Sequence, residues 1–109
     1  MEKRKPHYDL KTIKRLFNAV STRIIRQTAQ KNAATIGYMN EVDLLSVVNR
    51  LCSDYFYKSM TSYGNHKIWQ DVYRYRDEND IPLYIKVQLS PDGKNAVLIQ
   101  LKRDEGSEE

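Results

Sequence analysis

Several side chains in the second half of the chain could together act on a phosphodiester. Lys58 could supply positive charge at a phosphate, the Gln70 amide could donate to a phosphoryl oxygen, and the Tyr84 phenol could donate a proton or stack on a base. Arg74 and Arg76 could hold phosphates through their forked guanidinium groups. Each of these residues could equally be an ordinary surface or sheet-edge side chain, so residue type alone leaves its role open.

RNA is a phosphodiester that can be cut without a metal ion, because its own 2′-hydroxyl can attack the adjacent phosphate. Such a reaction needs a proton acceptor at that hydroxyl, and lysine and tyrosine titrate too high for this task unless their pKa values are shifted. His66 lies between Lys58 and Gln70 in the sequence and belongs to the residue type that titrates near neutrality. We therefore take His66 as a candidate general base, whereas a surface or packing role is favoured for His7.

Metal ligands and other catalytic motifs do not occur with the spacing that they require. The single cysteine, Cys52, excludes an internal disulfide and a cysteine-based zinc cluster. The acids Asp77, Glu78 and Asp80 form a run typical of a solvated turn. There is no glycine-rich phosphate loop and no nucleophile elbow. We expect neither a metal nor a cofactor.

The charge distribution favours a polyanionic partner. The formal net charge is +4, but four of the 14 acidic residues fall in positions 104–109. Residues 1–103 therefore carry 18 basic and 10 acidic side chains. A basic body suits nucleic acid, although many small domains of other function are equally basic. We predict one domain over residues 1–103 and a disordered acidic tail over 104–109.

The amino-terminal segment does not resemble a targeting sequence. The first thirty residues are polar and charged, and no segment of the chain is long and apolar enough to span a membrane. With one cysteine and no signal sequence, the bacterial cytoplasm is the expected compartment.

The first half of the chain predicts helices around one short strand. Asp9 is the expected N-cap of a helix that runs to about Ala19, because apolar residues follow it at helical spacing. The β-branched run 22–26 predicts a short strand. An alanine-rich stretch then predicts a second helix, which Gly37 would end.

A third helix is predicted after Asn40, its expected N-cap. The apolar stripe of this helix is predicted to consist of Val42, Leu45, Val48 and Leu51. A short helical turn is expected to follow at Ser53 or Asp54 and to hold residues 55–60.

The second half predicts three strands over residues 67–76, 83–90 and 95–103, the last two joined by a turn at 91–93. The predicted core-facing residues are Leu83, Ile85, Val87 and Leu89 in one strand and Val97, Ile99 and Leu101 in the next. The fold class is therefore α+β, with the amino-terminal helices packed on one face of a carboxy-terminal antiparallel sheet.

Alternation within 67–76 also predicts which side chains face away from the helices. If Trp69, Tyr73 and Tyr75 face the helices, the opposite face carries Gln70, Arg74 and Arg76, joined by Tyr84 and Lys86 of the next strand. The other phase, with Ile68 and Val72 inward, is also compatible with the alternation. We favour the first phase because it buries more aromatic surface.

Two segments of the chain resemble the MqsR (motility quorum-sensing regulator) family, which are toxins of type II toxin–antitoxin systems. The segments are Phe56-Tyr57-Lys58-Ser59-Met60-Thr61 and Ile68-Trp69-Gln70-Asp71-Val72-Tyr73-Arg74. The opening residues 1–7 and the pattern of Tyr84 and Lys86 are similar to the family as well. The resemblance covers most of residues 1–103 and is absent from the acidic tail.

The resemblance implies a RelE-like fold and a ribosome-independent endoribonuclease that cuts single-stranded mRNA at GC-containing triplets such as GCU. It implies a partner, an MqsA-like antitoxin with a zinc-binding domain and a helix-turn-helix domain. The family's catalytic lysine, glutamine and tyrosine match Lys58, Gln70 and Tyr84. The basic residues expected to contact RNA around them are Arg74, Arg76, Lys86 and Lys67.

The chain departs from the family pattern at two places beside this predicted site. The segment between Arg76 and Tyr84 is longer and more acidic, and Tyr75 stands where the family has a proline. Two other functions remain open on sequence grounds. A non-catalytic nucleic-acid-binding module would bind RNA without cutting it, and a regulatory protein would bind an antitoxin without arresting growth.

Overall fold

The computed structural model describes residues 1–106, which form three helices, one 3-10 turn and a six-stranded sheet. The helices are α1 (Leu10–Phe17), α2 (Gln27–Ala34) and α3 (Glu41–Arg50), with the 3-10 turn at Ser53–Tyr55. The strands are β1 (Glu2–Lys3), β2 (Arg23–Ile25), β3 (Phe56–Ser62), β4 (Asn65–Arg76), β5 (Pro82–Leu89) and β6 (Ala96–Arg103). Their order in the sheet is β1-β3-β4-β5-β6-β2, and only β2 and β6 pair in parallel. The α+β prediction is confirmed.

Local capping signals place the helices largely as predicted. The Asp9 side chain accepts a hydrogen bond from the Thr12 amide at 3.3 Å, and Asn40 accepts one from the Asp43 amide at 3.0 Å. Gly37 adopts φ +99 after α2, a left-handed conformation that glycine tolerates best. However, α1 ends at Phe17 and not near Ala19.

Three residues of the predicted apolar stripe of α3, Leu45, Val48 and Leu51, pack in or against the core, and only Val42 was wrong. The side chains that enter the core are Leu44, Val47, Val48 and Leu51, whereas Val42 is 74% exposed. Successive steps of three residues drift around a helix by about 60° each, so four such positions cannot stay on one face. Alternating steps of three and four residues follow the helical period and keep the buried set together.

The predicted helical turn is limited to the 3-10 turn at Ser53–Tyr55 and does not extend over residues 56–60. After the 3-10 turn the chain extends into β3, which pairs with β1 on one side and β4 on the other. The sequence of β3 has no strong alternation of apolar and polar residues, so its conformation follows from pairing with distant strands. Lys58 therefore lies on a strand.

The predicted core face of β6 was also wrong in part. Ala96, Leu98 and Leu101 belong to the main core cluster, whereas Val97 is buried (5% exposed) outside that cluster and Ile99 is half-buried. Lys86 pairs with Gln100 and Val87 pairs with Leu98, which leaves Ile99 as an extra residue in a β-bulge. An extra residue shifts the alternation by one position, so no single two-residue period describes this strand.

The three helices and one face of the sheet share the hydrophobic core. From β5 the core includes Leu83, Ile85 and Val87, as predicted. In β4, Tyr73 is 1% exposed and Tyr75 packs against the core, which confirms the favoured phase. Trp69 lies on the same side, but the amino-terminal segment covers it. The His7 ring stacks on Trp69 at 5.5 Å between ring centroids, and the Lys3 ammonium lies 4.3 Å from the Trp69 centroid.

Part of the acidic carboxy-terminal segment contacts the sheet. The Asp104 amide donates to the Pro82 carbonyl at 2.8 Å, and its carboxylate lies 3.6 Å from Arg74 Nε. Residues 107–109 lie outside the described residues, so the disorder of the tail 104–109 and the boundary of the domain at 103 stay predictions. None of the helices within residues 1–106 has the length and apolar character that a membrane span requires.

Candidate active site

The sheet face opposite the hydrophobic core carries a first row of residues across four neighbouring strands, and α2 reaches the end of this row, where Asn32 Nδ2 donates to Gln100 Oε1 at 3.0 Å. Lys58 of β3 pairs with Val72 of β4, Val72 with Lys86 of β5, and Lys86 with Gln100 of β6. Directly paired residues point to the same face, and neighbouring strands lie about 4.8 Å apart. The row therefore places one lysine on each side of the small apolar side chain of Val72.

A second row lies beside the first, toward the carboxyl end of β4. Arg74 pairs with Tyr84, and Tyr84 pairs with Lys102 of β6. The Lys102 ammonium lies 5.1 Å and the Lys86 ammonium 5.9 Å from the centre of the Tyr84 ring. Lys102 was not among the predicted site residues. Six residues of this part of the sheet are called the cationic face from here on. They are Lys58, Gln70, Arg74, Tyr84, Lys86 and Lys102.

Lys58 is held by a carboxylate whose position near it was not predicted from the sequence. Its side chain is 9% exposed, and its Nζ donates to Glu2 Oε2 at 2.7 Å. Glu2 reaches Lys58 because β1 pairs with β3, with Glu2 opposite Met60. The hydrogen bond from the Lys58 ammonium holds the pKa of the Glu2 carboxyl below its ordinary value of 4.5. Glu2 is 46% exposed at its side chain and so remains accessible to a ligand.

A β-bulge in β3 places two consecutive side chains on the cationic face. Phe56 pairs with Tyr73 and Lys58 with Val72, so Tyr57 is the extra residue. The Tyr57 ring lies among three cations: the Arg74 guanidinium is 3.8 Å, the Lys58 ammonium 5.3 Å and the Arg4 guanidinium 5.6 Å from its centroid. Cation–π attraction of this kind orders long basic side chains around one ring.

Gln70 is fixed in the sheet by a second glutamine. Its Nε2 donates to Gln88 Oε1 at 2.9 Å, and Gln88 Nε2 donates to the Leu89 carbonyl at 3.2 Å. Gln70 is 8% and Gln88 5% exposed. An amide group has two N–H donors, so a bond to Gln88 leaves Gln70 one donor for a ligand. Gln88 was not predicted to belong to the site.

Lys86 is the member of the cationic face with the least favourable environment for its charge. Burial lowers the pKa of Lys86, and the nearby ammonium groups of Lys102 and Lys58 lower it further. A lysine in such a position releases its proton more readily than a surface lysine. Its ammonium group can therefore attract a phosphate and is a better proton donor than an ordinary lysine.

We expect replacement of Lys86 by methionine to stabilise the fold. A lysine pKa that is lowered by folding makes the charged form unfavourable, and this cost is complete below the folded-state pKa and disappears as the pH rises toward the ordinary value of 10.5. The melting temperature of Lys86→Met should rise by a few degrees at neutral pH, as about 1 kcal/mol produces in a domain of this size.

The gain in melting temperature should shrink when the same pair of proteins is compared near pH 10. Lys31→Met serves as the control, because Lys31 is an exposed lysine of α2 and should change little. An unchanged or lower melting temperature for Lys86→Met at neutral pH would contradict the expected repulsion.

Arg76 points toward the β4–β5 loop and contacts it. Its Nη1 donates to the Asp80 carbonyl at 2.9 Å and lies 3.3 Å from the Asp80 carboxylate. The acidic segment has an internal structural role, since Asp77 accepts from Tyr38 Oη at 2.6 Å and from two backbone amides of the loop at 2.9 Å. Binding of RNA by Arg76 stays a prediction.

His66 and Lys67 lie away from the cationic face, at the hairpin between β3 and β4. Both are exposed, and Lys67 lines a groove of about 420 Å³ with His7, Tyr8 and residues of the β5–β6 turn. The pairing of β3 with β4 skips residues 66–68, so this end of the hairpin is irregular. The predicted roles of His66 as base and of Lys67 as an RNA contact are not supported by proximity to Lys58.

Within residues 1–106, no three side chains of histidine, cysteine, aspartate or glutamate are grouped so that they could hold a metal ion.

Two comparisons relate the chain to known proteins. Residues 5–103 match the family model described as "Motility quorum-sensing regulator, toxin of MqsA". The chain is 46% identical over 92 residues to the mRNA interferase toxin MqsR of Escherichia coli strain K12, a match that covers 84% of this chain and 91% of that protein. The matched residues of the family model include β3, β4, β5 and β6, the strands on which the cationic face lies.

Proposed function

This chain belongs to the MqsR toxin family and is an endoribonuclease of the mRNA interferase type, and on that basis we propose how it cuts RNA. It acts on single-stranded mRNA without the ribosome and without a metal ion, at GC-containing triplets such as GCU. It acts in the bacterial cytoplasm, on a RelE-like fold. An MqsA-like antitoxin, with a zinc-binding domain and a helix-turn-helix domain, neutralises it.

The observation that carries this proposal is the position of Lys58 and Lys86 on the two sides of Val72, on the sheet face opposite the hydrophobic core. The reaction is attack of the 2′-hydroxyl on the adjacent phosphorus, which concentrates negative charge on the phosphoryl oxygens. Lys58 and Arg74 stabilise that charge, and the Gln70 amide donates to one of the same oxygens. Positive groups that are already ordered by the Tyr57 ring and by strand pairing need little rearrangement as charge develops.

The leaving group requires a proton, and the second row can supply it. Tyr84 lies between Arg74 and Lys102 in the pairing, with two ammonium groups within 6 Å of its ring. Nearby positive charge favours the ionised form of a phenol and so assists proton donation. We assign to Tyr84 the protonation of the departing 5′-oxygen, with Lys86 as the nearby source of positive charge.

A flat, basic sheet face with accessible aromatic rings is suited to a single strand. The phosphates of a single strand can contact the cations while its bases stack on tyrosine rings. In double-stranded RNA the bases are paired and stacked on each other, so they cannot stack on these rings. The preference for GC-containing triplets rests on membership of the family. For the antitoxin, pairing of a strand onto the sheet edge at β1 or β2 is our hypothesis, and a complex without intermolecular strand pairing would refute it.

The proposal is tested by incubating the purified protein with a defined single-stranded RNA that contains several GC triplets, in excess chelator. We expect cutting to persist, with 2′,3′-cyclic phosphate and 5′-hydroxyl ends at those triplets and none in a duplex of the same sequence. Addition of an MqsA-like antitoxin should stop it. Intact RNA in a stable complex would indicate a binding module, and cutting that the chelator abolishes would show a metal-dependent reaction.

A further inference from the structure

We propose that Glu2 is the general base that accepts the proton of the attacking 2′-hydroxyl, an assignment that rests on the proposed 2′-hydroxyl mechanism. Glu2 lies on β1 at the edge of the cationic face, with Oε2 2.7 Å from Lys58 Nζ. A carboxylate accepts hydrogen bonds at several lone-pair positions, so the bond to Lys58 leaves acceptors for a substrate hydroxyl. With 46% of its side chain exposed, Glu2 can meet RNA directly.

The other acids and bases near this face are less well placed. His66 is exposed at the irregular end of the β3–β4 hairpin. The His7 ring stacks on Trp69 on the side of the sheet that carries the core, and its Nδ1 lies 3.0 Å from Lys3 Nζ. Asp104 contacts Arg74 in the second row, whereas Glu2 contacts Lys58 in the first.

The electrostatic environment keeps Glu2 in the form that a base needs. The hydrogen bond and charge of Lys58, with the Arg4 guanidinium and the amino-terminal ammonium, lower the pKa of Glu2. Its carboxylate is ionised at neutral pH, as a proton acceptor must be, but the lowered pKa makes it a weaker base than a free glutamate, so the case for Glu2 rests on its position. The same cations offset its repulsion of the RNA phosphate, which is why a carboxylate can remain beside a phosphate site.

Proton transfer to Glu2 would also release the charge of Lys58 for the phosphate. The 2′ O–H bond breaks and its proton goes to the Glu2 carboxylate, while the 2′-oxygen forms a bond to phosphorus. The bond from phosphorus to the 5′-oxygen breaks, and that oxygen takes the Tyr84 proton, which Tyr84 regains from water. Once Glu2 is neutral, the Lys58 ammonium interacts more strongly with the phosphoryl oxygens, at the stage when they carry the most charge.

The test is single-turnover cleavage of one RNA by wild type, Glu2→Gln and Glu2→Asp, with any tag kept away from β1. Glutamine retains an oxygen that accepts from Lys58 but cannot take up a proton. We expect Glu2→Gln to cleave about 10²-fold or more slowly and Glu2→Asp to retain intermediate activity. Binding of a non-cleavable 2′-O-methyl RNA and the melting temperature should stay close to those of wild type.

Glu41→Gln is a matched control, because Glu41 is also a half-exposed partner of a largely buried cation, Arg23, at 2.8 Å. It should cleave like wild type. A glutamine variant of Glu2 with wild-type rate would show that this carboxylate only positions Lys58, and would overturn the assignment.

A second substrate separates loss of the base from loss of the acid. RNA with sulfur in place of the 5′-oxygen at the cut site has a leaving group that needs no proton. Tyr84→Phe should recover on this substrate, whereas Glu2→Gln should remain slow. Recovery of Glu2→Gln would overturn the proposal. Failure of the wild type to cut either RNA would refute the proposed function together with the role of Glu2, whereas equal cutting by wild type and Glu2→Gln would refute only the latter.

Discussion

Replacement of Lys58 by alanine is expected to slow RNA cleavage by about 10³-fold, the largest effect we predict for a single side chain. Removal of one preorganised positive donor from a charged transition state commonly costs a factor of this order. No other cation can occupy the position of the Lys58 ammonium group. The Lys58 side chain is 9% exposed and is enclosed by β1, the Tyr57 ring and Glu2. The measurement is the single-turnover rate in chelator.

Two comparisons make this prediction specific to the site. Lys31→Ala removes an exposed lysine from α2 and should leave the rate unchanged. The fold of Lys58→Ala should be preserved, since the ion-pair partner that remains, Glu2, is half exposed and can be hydrated. A folded Lys58→Ala protein that cuts RNA at the wild-type rate would remove Lys58 from the mechanism. Combination with Glu2→Gln should cost much less than the sum of the two single effects, because the two groups act in one step.

Asp71→Ala is expected to lower the free energy of unfolding by about 3 kcal/mol. Asp71 is 1% exposed, and its carboxylate accepts the backbone amides of His7 at 3.1 Å and Tyr8 at 2.9 Å. Hydrogen bonds to a charged group contribute about 1.5–3 kcal/mol each, and donors left without a partner in a covered position add to the loss. Chemical denaturation should show the change, with a melting temperature lower by about 10 °C or more.

Asp71→Ala should also disturb the active site, because Asp71 holds the segment that is continuous with β1. His7 and Tyr8 anchor the segment that leads back to β1, and β1 delivers Glu2 to Lys58. Hydrogen exchange of the His7 and Tyr8 amides should become faster in the variant, and cleavage should fall even at temperatures where the protein is folded.

Asp92→Ala is the matched control for Asp71→Ala, because Asp92 also accepts a backbone amide, that of Lys94 at 3.0 Å, but lies in an exposed turn. It should lower the free energy of unfolding much less than Asp71→Ala does, because water can replace an exposed carboxylate. If Asp71→Ala lowers the free energy of unfolding by less than about 1 kcal/mol, water replaces the carboxylate and Asp71 does not anchor the amino-terminal segment.

Local patterns in the sequence determined much of the secondary structure. Capping at Asp9 and Asn40 and the stop at Gly37 depend on groups within three or four residues of each other, so they can be recognised without the fold. Alternation gave the correct face of Tyr73 in β4 and of Ile85 in β5 for the same reason. The family resemblance, read from two short segments, is confirmed over residues 5–103.

Pairing between strands decided what these patterns could not. The conformation of β3 depends on two partner strands, and the bulges at Tyr57 and Ile99 are visible only in the pairing register. A bulge changes the alternation in one strand relative to its neighbour, so the sequence of that strand alone cannot locate it. The core face of β6 was predicted only in part for this reason.

The sequence and the tertiary structure each decided part of the composition of the active site. The sequence determined the identity of Lys58, Gln70 and Tyr84 as candidates, because they match a family pattern. Only the tertiary structure brought Glu2 to Lys58, across 56 residues of chain, and Lys102 to Tyr84 across the β5–β6 pair. Residue types and periods are properties of short segments, whereas the contact of two charges depends on sheet order and register, which the whole chain sets when it buries its core.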